Sequence, residues 1–173
     1  MIERKGLLKL NGQDVTIIGP DIKIGQQAPE FNQHDQDWQP MDMLAETRGK
    51  VRIIISVPSL NTSVCDRETR HFNNEASALG EDIVVIATSA DLPYTQKNWC
   101  AAAGVERVMV VSDHFDMDFG EKYGVWIKER RIHRRAVFII DADDKVRYVD
   151  YMASLGDEPD YDEVLTTAKG LLG

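Results

Sequence analysis

The chain has 173 residues, of which 43% are hydrophobic, and a formal net charge of −9. This length allows one domain with a sizeable core and does not require a second, so we expect a single domain over residues 1–173. Because nucleic acids and anionic membranes are polyanions, the acidic balance argues against binding to either. The N-terminal residues lack an apolar signal core, and no stretch is apolar enough to span a bilayer, so we expect a cytoplasmic protein.

The first segment of the chain predicts a β-hairpin. Residues 7–18, LLKLNGQDVTII, place apolar positions on both sides of Asn11 and Gly12, a pair typical of tight hairpin turns. Residues 19–33 contain two prolines and little periodicity, which predicts an irregular connection over the surface.

Short apolar runs from residue 51 onward predict buried strands. The runs are VRIIISV at 51–57, DIVVIAT at 82–88, VMVVS at 108–112 and AVFIID at 136–141. Helical patterns at 63–79 and 93–103 separate the first three runs, which is typical of βαβ units. A tight DADDK turn leads to a further strand, KVRYVDY, and residues 160–172 have the spacing of an amphipathic helix. The outline predicts an α/β thioredoxin-like fold: a mixed central sheet flanked by helices, with the hairpin as an extra N-terminal element.

One cysteine lies where a loop becomes a helix. Thr62 and Ser63 are favourable N-cap residues, which puts Cys65 in the first helical turn, where free N–H groups and the helix dipole favour a thiolate. Lowering the pKa of a free thiol from about 8.5 to about 6 requires about 3.4 kcal/mol. A helix N-terminus supplies at most about 2 kcal/mol, so activation also needs a cation. On these residues alone, a buried and inert cysteine is the commoner outcome.

The motif around Cys65 resembles a known family. PSLNTSVC, residues 58–65, matches the Pro-x-x-x-Thr-x-x-Cys signature of peroxiredoxins, and SVCDRETRHFNNEA is similar to the thiol peroxidase subfamily. The resemblance continues through IGQQAPEF at 24–31, SADLPYTQKNWC at 89–100, RRAVFIID at 134–141 and DEPDYDEVL at 157–165. Over nearly its whole length the chain resembles an atypical two-cysteine peroxiredoxin.

The resemblance implies a role for each matching position. Cys65 would be the peroxidatic cysteine, whose thiolate attacks the peroxide bond and becomes a sulfenic acid. Thr62 would hold the peroxide by hydrogen bonds, and Pro58 would shield the pocket from water. Arg135 would be the cation that supports the thiolate, although the adjacent Arg134 leaves a shift of one residue open.

The resemblance also implies a reaction cycle and its partners. Cys100 would be the resolving cysteine, forming an intramolecular disulfide with Cys65 that thioredoxin reduces. The substrate would be hydrogen peroxide or an organic hydroperoxide, no cofactor or metal would be needed, and the protein would be a homodimer. Asn61 and Trp99 stand where relatives commonly carry Asp and Phe, which leaves the preferred substrate open.

Other interpretations have weaker support. The sequence CDRE at Cys65 lacks the second cysteine of a disulfide oxidoreductase, and the four histidines are too dispersed for a metal site. The acidic segment SDHFDMDFGEKYG at 112–124 is typical of a solvated turn with helix-capping acids, and the basic run KERRIHRR at 128–135 is typical of a solvated loop. A binding or chaperone-like protein that keeps the scaffold without turnover is the remaining functional alternative.

Overall fold

The computed structural model describes residues 1–173 as two β-sheets with five helices. The strands are β1 (Glu3–Leu10), β2 (Gln13–Ile18), β3 (Asn32–His34), β4 (Pro40–Asp42), β5 (Val51–Ser56), β6 (Ile83–Ser89), β7 (Met109–Ser112), β8 (Trp126–Ile127), β9 (Ile132–His133), β10 (Ala136–Ile140) and β11 (Val146–Tyr151). The helices are α1 (Met43–Glu46), α2 (Ser63–Leu79), α3 (Pro93–Ala103), α4 (Asp118–Lys122) and α5 (Tyr161–Gly170). None of the helices is long and apolar enough to cross a bilayer.

The central sheet has seven strands in the order β11-β10-β5-β6-β7-β3-β4. Strands β5, β6 and β7 are parallel, and β10 runs antiparallel to both β5 and β11. Every residue of β5 and β10 is buried, as expected for central strands whose two faces are both covered. The predicted α/β thioredoxin-like fold, with its mixed sheet and flanking helices, is confirmed.

Alternating side chains of β5 separate the core into two layers. Ile53 and Ile55 pack with the buried face of α2, with Cys100 of α3 and with α5, whereas Ile54 packs on the opposite face against an aromatic group. That aromatic group consists of Phe31, Phe119, Tyr123 and Phe138. Because successive strand residues face opposite sides, one isoleucine run serves both layers.

The N-terminal hairpin is confirmed, with a longer first strand than predicted. Asn11 and Gly12 have φ values of 53° and 77°, the left-handed turn conformation that the Asn-Gly pair favours. Strand β2 also pairs with β8, and β8 pairs with β9, so the hairpin belongs to a separate four-stranded sheet. The sequence did not predict this sheet, because strands of two residues are too short to show a periodic pattern.

Two expectations of solvated segments are wrong in part. Asp113 does cap a helix, since its carboxylate accepts the N–H groups of Phe119 and Gly120, but it is only 1% exposed. Nε2 of His133 lies 2.8 Å from Oδ2 of Asp113, and His133 is fully buried. In the basic run, Arg134 is also buried, with its guanidinium 4.7 Å above the ring of Tyr151. His133 and Arg134 are buried because the chain passes directly from β9 of the small sheet into β10 of the central one.

Replacing His133 tests the buried pair. His133→Ala is expected to lower the free energy of unfolding by about 3 kcal/mol, because it opens a cavity and removes a partner of a buried carboxyl group. Urea denaturation measures the change, with His71→Ala, at a half-buried position on α2, as the control expected to lose about 1 kcal/mol or less. Equal losses in both variants would contradict the structural role of the pair.

Candidate active site

The loop before α2 and the first turn of α2 place Cys65. Thr62 is the N-cap: its Oγ1 accepts the backbone N–H of Cys65 at 3.2 Å and donates to the carbonyl of Ser59 at 3.2 Å. The predicted cap is therefore confirmed, and the hydroxyl binds the backbone rather than the Cys65 sulfur. Cys65 lies in the first helical turn, with its side chain fully buried.

The guanidinium of Arg135 is the cation at the sulfur. Its Nη2 lies 3.0 Å from Sγ of Cys65, its Nη1 donates to Oε2 of Glu68, and its Nε donates to the carbonyl of Leu155 at 3.0 Å. Two separate segments, α2 and the loop after β11, thus fix one side chain that is only 1% exposed. Arg134 instead stacks on Tyr151, so Arg135 is the one of the two adjacent arginines that reaches Cys65.

Glu68 is a site residue that the sequence analysis missed. It lies three positions after Cys65 on the same helical face, which is the signal that could have identified it. Its side chain is fully buried, and Oε1 has no hydrogen-bond partner within the protein. Burial raises the pKa of Glu68 to about 7, despite the opposing effect of Arg135. Glu68 and a Cys65 thiolate would share a single cation.

Pro58 and the residues after it form a fixed approach to α2. Pro58 is buried two residues after the end of β5. Asp91, from the loop after β6, accepts the hydroxyl of Ser59 at 2.8 Å and the N–H of Leu60 at 2.9 Å. The loop that leads to Thr62 is therefore held from a neighbouring strand, an anchor that sequence spacing did not reveal.

Cys100 is apart from this arrangement. It lies on α3, is 8% exposed, and its Sγ accepts a hydrogen bond from Nε2 of Gln36 at 3.4 Å. Burial raises the pKa of the Cys100 thiol, and the Gln36 contact opposes this rise. Both cysteines are free thiols with different polar partners, so the structure does not bring Cys100 into bonding contact with Cys65.

The chain is similar to proteins of a known family. The Redoxin family profile matches residues 23–165. Thiol peroxidases of Halalkalibacterium halodurans and Bacillus subtilis are 44% and 43% identical over 165 residues, 95% of this chain and 98% of each relative. The chain belongs to the redoxins and, among them, to the thiol peroxidases. The resemblance inferred from the sequence is confirmed.

Solved structures show the same architecture. A peroxiredoxin-like protein from Aquifex aeolicus superposes with a TM-score of 0.86 at 38% identity, covering 97% of this chain and 99% of that one. A thiol peroxidase from Chromobacterium violaceum superposes with a TM-score of 0.80 at 20% identity, covering 94% and 95%, and shares the fold.

The raised pKa of Glu68 predicts how stability depends on pH. The native state holds the Glu68 proton more tightly than the unfolded chain, so this contribution is complete below about pH 4.5 and is lost as the pH rises through about 7. Relative to Glu68→Gln, the reduced wild-type thiol peroxidase should lose roughly 3 kcal/mol of unfolding free energy over this window. Urea titrations between these pH values measure the difference.

The control is Glu81→Gln, which changes an exposed carboxylate and should follow the wild-type pH curve. Parallel curves for the wild type and Glu68→Gln would show that Glu68 does not titrate in this range.

Proposed function

We propose that this thiol peroxidase reduces hydrogen peroxide and organic hydroperoxides at Cys65. The observation that carries the proposal is the 3.0 Å contact between Nη2 of Arg135 and Sγ of Cys65, inside the first turn of α2. A cation and a helix N-terminus together favour a thiolate, which is the nucleophilic form of cysteine. The thiolate attacks one peroxide oxygen, an S–O bond forms and the O–O bond breaks, and the departing oxygen takes up a proton to leave as water or an alcohol.

Thr62, Arg135 and Pro58 have distinct roles in this step. The Thr62 side chain belongs to an exposed residue at the start of α2, so its hydroxyl can turn from the Ser59 carbonyl toward a peroxide oxygen. Arg135 stabilises negative charge on the sulfur and on the departing oxygen. Buried Pro58 limits the access of water to the sulfur.

Cys100 completes the cycle. Its thiolate attacks the sulfenic sulfur of Cys65, an S–S bond forms, and the S–O bond breaks with release of water. We propose that thioredoxin then reduces this disulfide by thiol exchange. A reducing, cytoplasmic compartment suits a disulfide that forms and breaks in each turnover.

Cysteine variants test the cycle directly. Cys65→Ser should abolish peroxide consumption, because serine cannot supply a thiolate. Cys100→Ser should consume one equivalent of peroxide and then stall with thioredoxin as the reductant. The intact mass and thiol count after one equivalent of hydroperoxide measure both effects, and the wild type should lose two thiols and two hydrogen atoms.

Two outcomes would reject this function. Normal turnover by Cys65→Ser would exclude Cys65 as the site of attack. Survival of both wild-type thiols in the presence of peroxide would favour a binding or chaperone-like role for the scaffold.

We also propose that the protein is a homodimer, which an exposed aromatic patch supports. Tyr94 and Phe115 are 65% and 69% exposed, and His34 and Trp38 connect them through ring contacts with centroids 5.3 to 5.9 Å apart. Leu92, 39% exposed, precedes Tyr94 at the start of α3. A continuous patch of this kind on a soluble chain is typical of a protein interface.

Sedimentation velocity tests the dimer. Phe115→Glu places a charge in the patch and should shift the protein from dimer to monomer, because an unpaired charge in an interface is costly. Ile24→Glu is the matched control, since Ile24 is 66% exposed outside the patch and should leave the dimer intact. A monomeric wild type, or a dimer that survives Phe115→Glu, would refute the proposal that this patch is a dimer interface.

A further inference from the structure

The turn between β3 and β4 contacts α3 through three successive side chains. The contacts are Nε2 of Gln36 to Sγ of Cys100 at 3.4 Å, Oδ1 of Asp37 to Nζ of Lys97 at 2.7 Å, and the Trp38 ring to the Tyr94 ring at 5.5 Å between centroids. The contacted residues of α3 are three positions apart, so they share one side of the helix. One face of α3, which includes Cys100, is thus held by contacts with a single turn.

The turn is internally fixed. Oδ1 of Asp35 accepts the N–H groups of Asp37 at 2.8 Å and Gln39 at 2.9 Å, and the Asp35 N–H donates to the Gln39 carbonyl at 3.0 Å. Trp38 has a left-handed backbone with φ of 62°, an uncommon conformation for a large residue that this closed turn maintains. The turn therefore joins α3 to the edge of the central sheet as a stiff connection.

A different side of α3 is attached to α2. Nε1 of Trp99 donates to Oδ1 of Asp66 at 3.1 Å, and Nη1 of Arg70 donates to the carbonyl of Ala103 at 3.3 Å. Asp66 directly follows Cys65, so this attachment links the segments of the two cysteines. The contacts of the β3–β4 turn, by contrast, hold Cys100 at the sheet edge.

The resolving step must break the contacts of the turn. Cys100 attacks the sulfenic sulfur of Cys65, forming the S–S bond and releasing the oxygen as water, and a disulfide requires Cα atoms about 4.4 to 6.8 Å apart. The two cysteines lie within separate helices as free thiols held by different polar partners, so we infer that the Cys100 segment leaves its position. A contact present before this opening and lost during it slows the step.

We propose that Gln36, Asp37 and Trp38 are positioning residues of the resolving step, which hold α3 in place and thereby set how long the Cys65 sulfenic acid persists. This inference rests on the proposed function of Cys100. A persisting sulfenic acid can react with a second hydroperoxide, whose O–O bond breaks as the sulfur gains an oxygen and becomes a sulfinic acid. The turn therefore sets the balance between resolution and overoxidation.

The ion pair of the turn allows the sharpest test, because Asp37 and Lys97 are exposed and can be replaced without opening the core. Asp37→Ala and Lys97→Ala should each speed disulfide formation about two- to fivefold after one equivalent of hydroperoxide, with the rate of Cys65 oxidation unchanged. The double variant should be no faster than either single variant, because both remove the same contact. Acid quenching, alkylation and mass spectrometry separate the sulfenic, disulfide and sulfinic forms.

Three controls exclude a general loss of structure. Lys97→Met keeps the aliphatic chain without the charge and should behave as Lys97→Ala. Lys128→Ala removes a comparably exposed ion pair, with Glu3 of the small sheet, and should leave the resolving rate at the wild-type value. The reversed pair, Asp37→Lys with Lys97→Asp, should restore slow resolution and the wild-type yield of sulfinic acid under excess hydroperoxide.

The outcomes separate this inference from the function on which it rests. Faster resolution with less sulfinic acid in the loosened variants, and recovery in the reversed pair, would establish the role of the turn. Unchanged or slower resolution in Asp37→Ala and Lys97→Ala, with a normal wild-type disulfide, would overturn the proposed role of the turn. The proposed cycle of Cys65 and Cys100 would stand. Absence of a Cys65–Cys100 disulfide in the wild type would overturn the proposed cycle.

Discussion

The site depends on one buried guanidinium that serves two acidic groups. Arg135 contacts the Cys65 sulfur through Nη2 and the Glu68 carboxyl through Nη1. If both groups were ionised, two negative charges would face one positive charge in a region of low dielectric. Burial disfavours the charged form of Glu68 and raises its pKa to about 7. The protonated form of Glu68 leaves the cation to the sulfur, so the proposed thiolate chemistry at Cys65 would be linked to the protonation of its neighbour on the helix.

Strand pairing brings this cation to its cysteine. In the sheet, Ala136 at the start of β10 pairs with Ser56 at the end of β5. Arg135 precedes Ala136, and the loop to Cys65 follows Ser56, so the two side chains lie at the same edge although they are 70 residues apart in sequence. Asp91 holds the intervening loop from the next strand of the sheet. The fold thus supplies the electrostatic help that the helix N-terminus alone could not provide.

Local patterns predicted the parts of the fold that are determined locally. The apolar runs, the Asn-Gly turn and the Thr62 cap all depend on near neighbours in sequence, and the structure has each of them. The burial of His133 and Arg134 could not be predicted in this way, because a basic run looks solvated until the two sheets are joined. Gln36 was missed for a similar reason: its contact with Cys100 is made across 64 residues of sequence. Arg135 was identified by resemblance, since no spacing rule relates it to Cys65.

The contrast between the two cysteines supports the division of roles in the proposed cycle. Cys65 has a cation in contact with its sulfur, and that cation is held by Glu68 and the Leu155 carbonyl. Cys100 is buried, and this burial raises the pKa of its thiol, so its thiolate is disfavoured while α3 remains closed. In the proposed cycle, opening of α3 would move Cys100 toward Cys65 and would also return its sulfur to water, which would remove the desolvation that disfavours the thiolate. One movement would therefore supply both the proximity and the ionisation that the proposed resolving step needs.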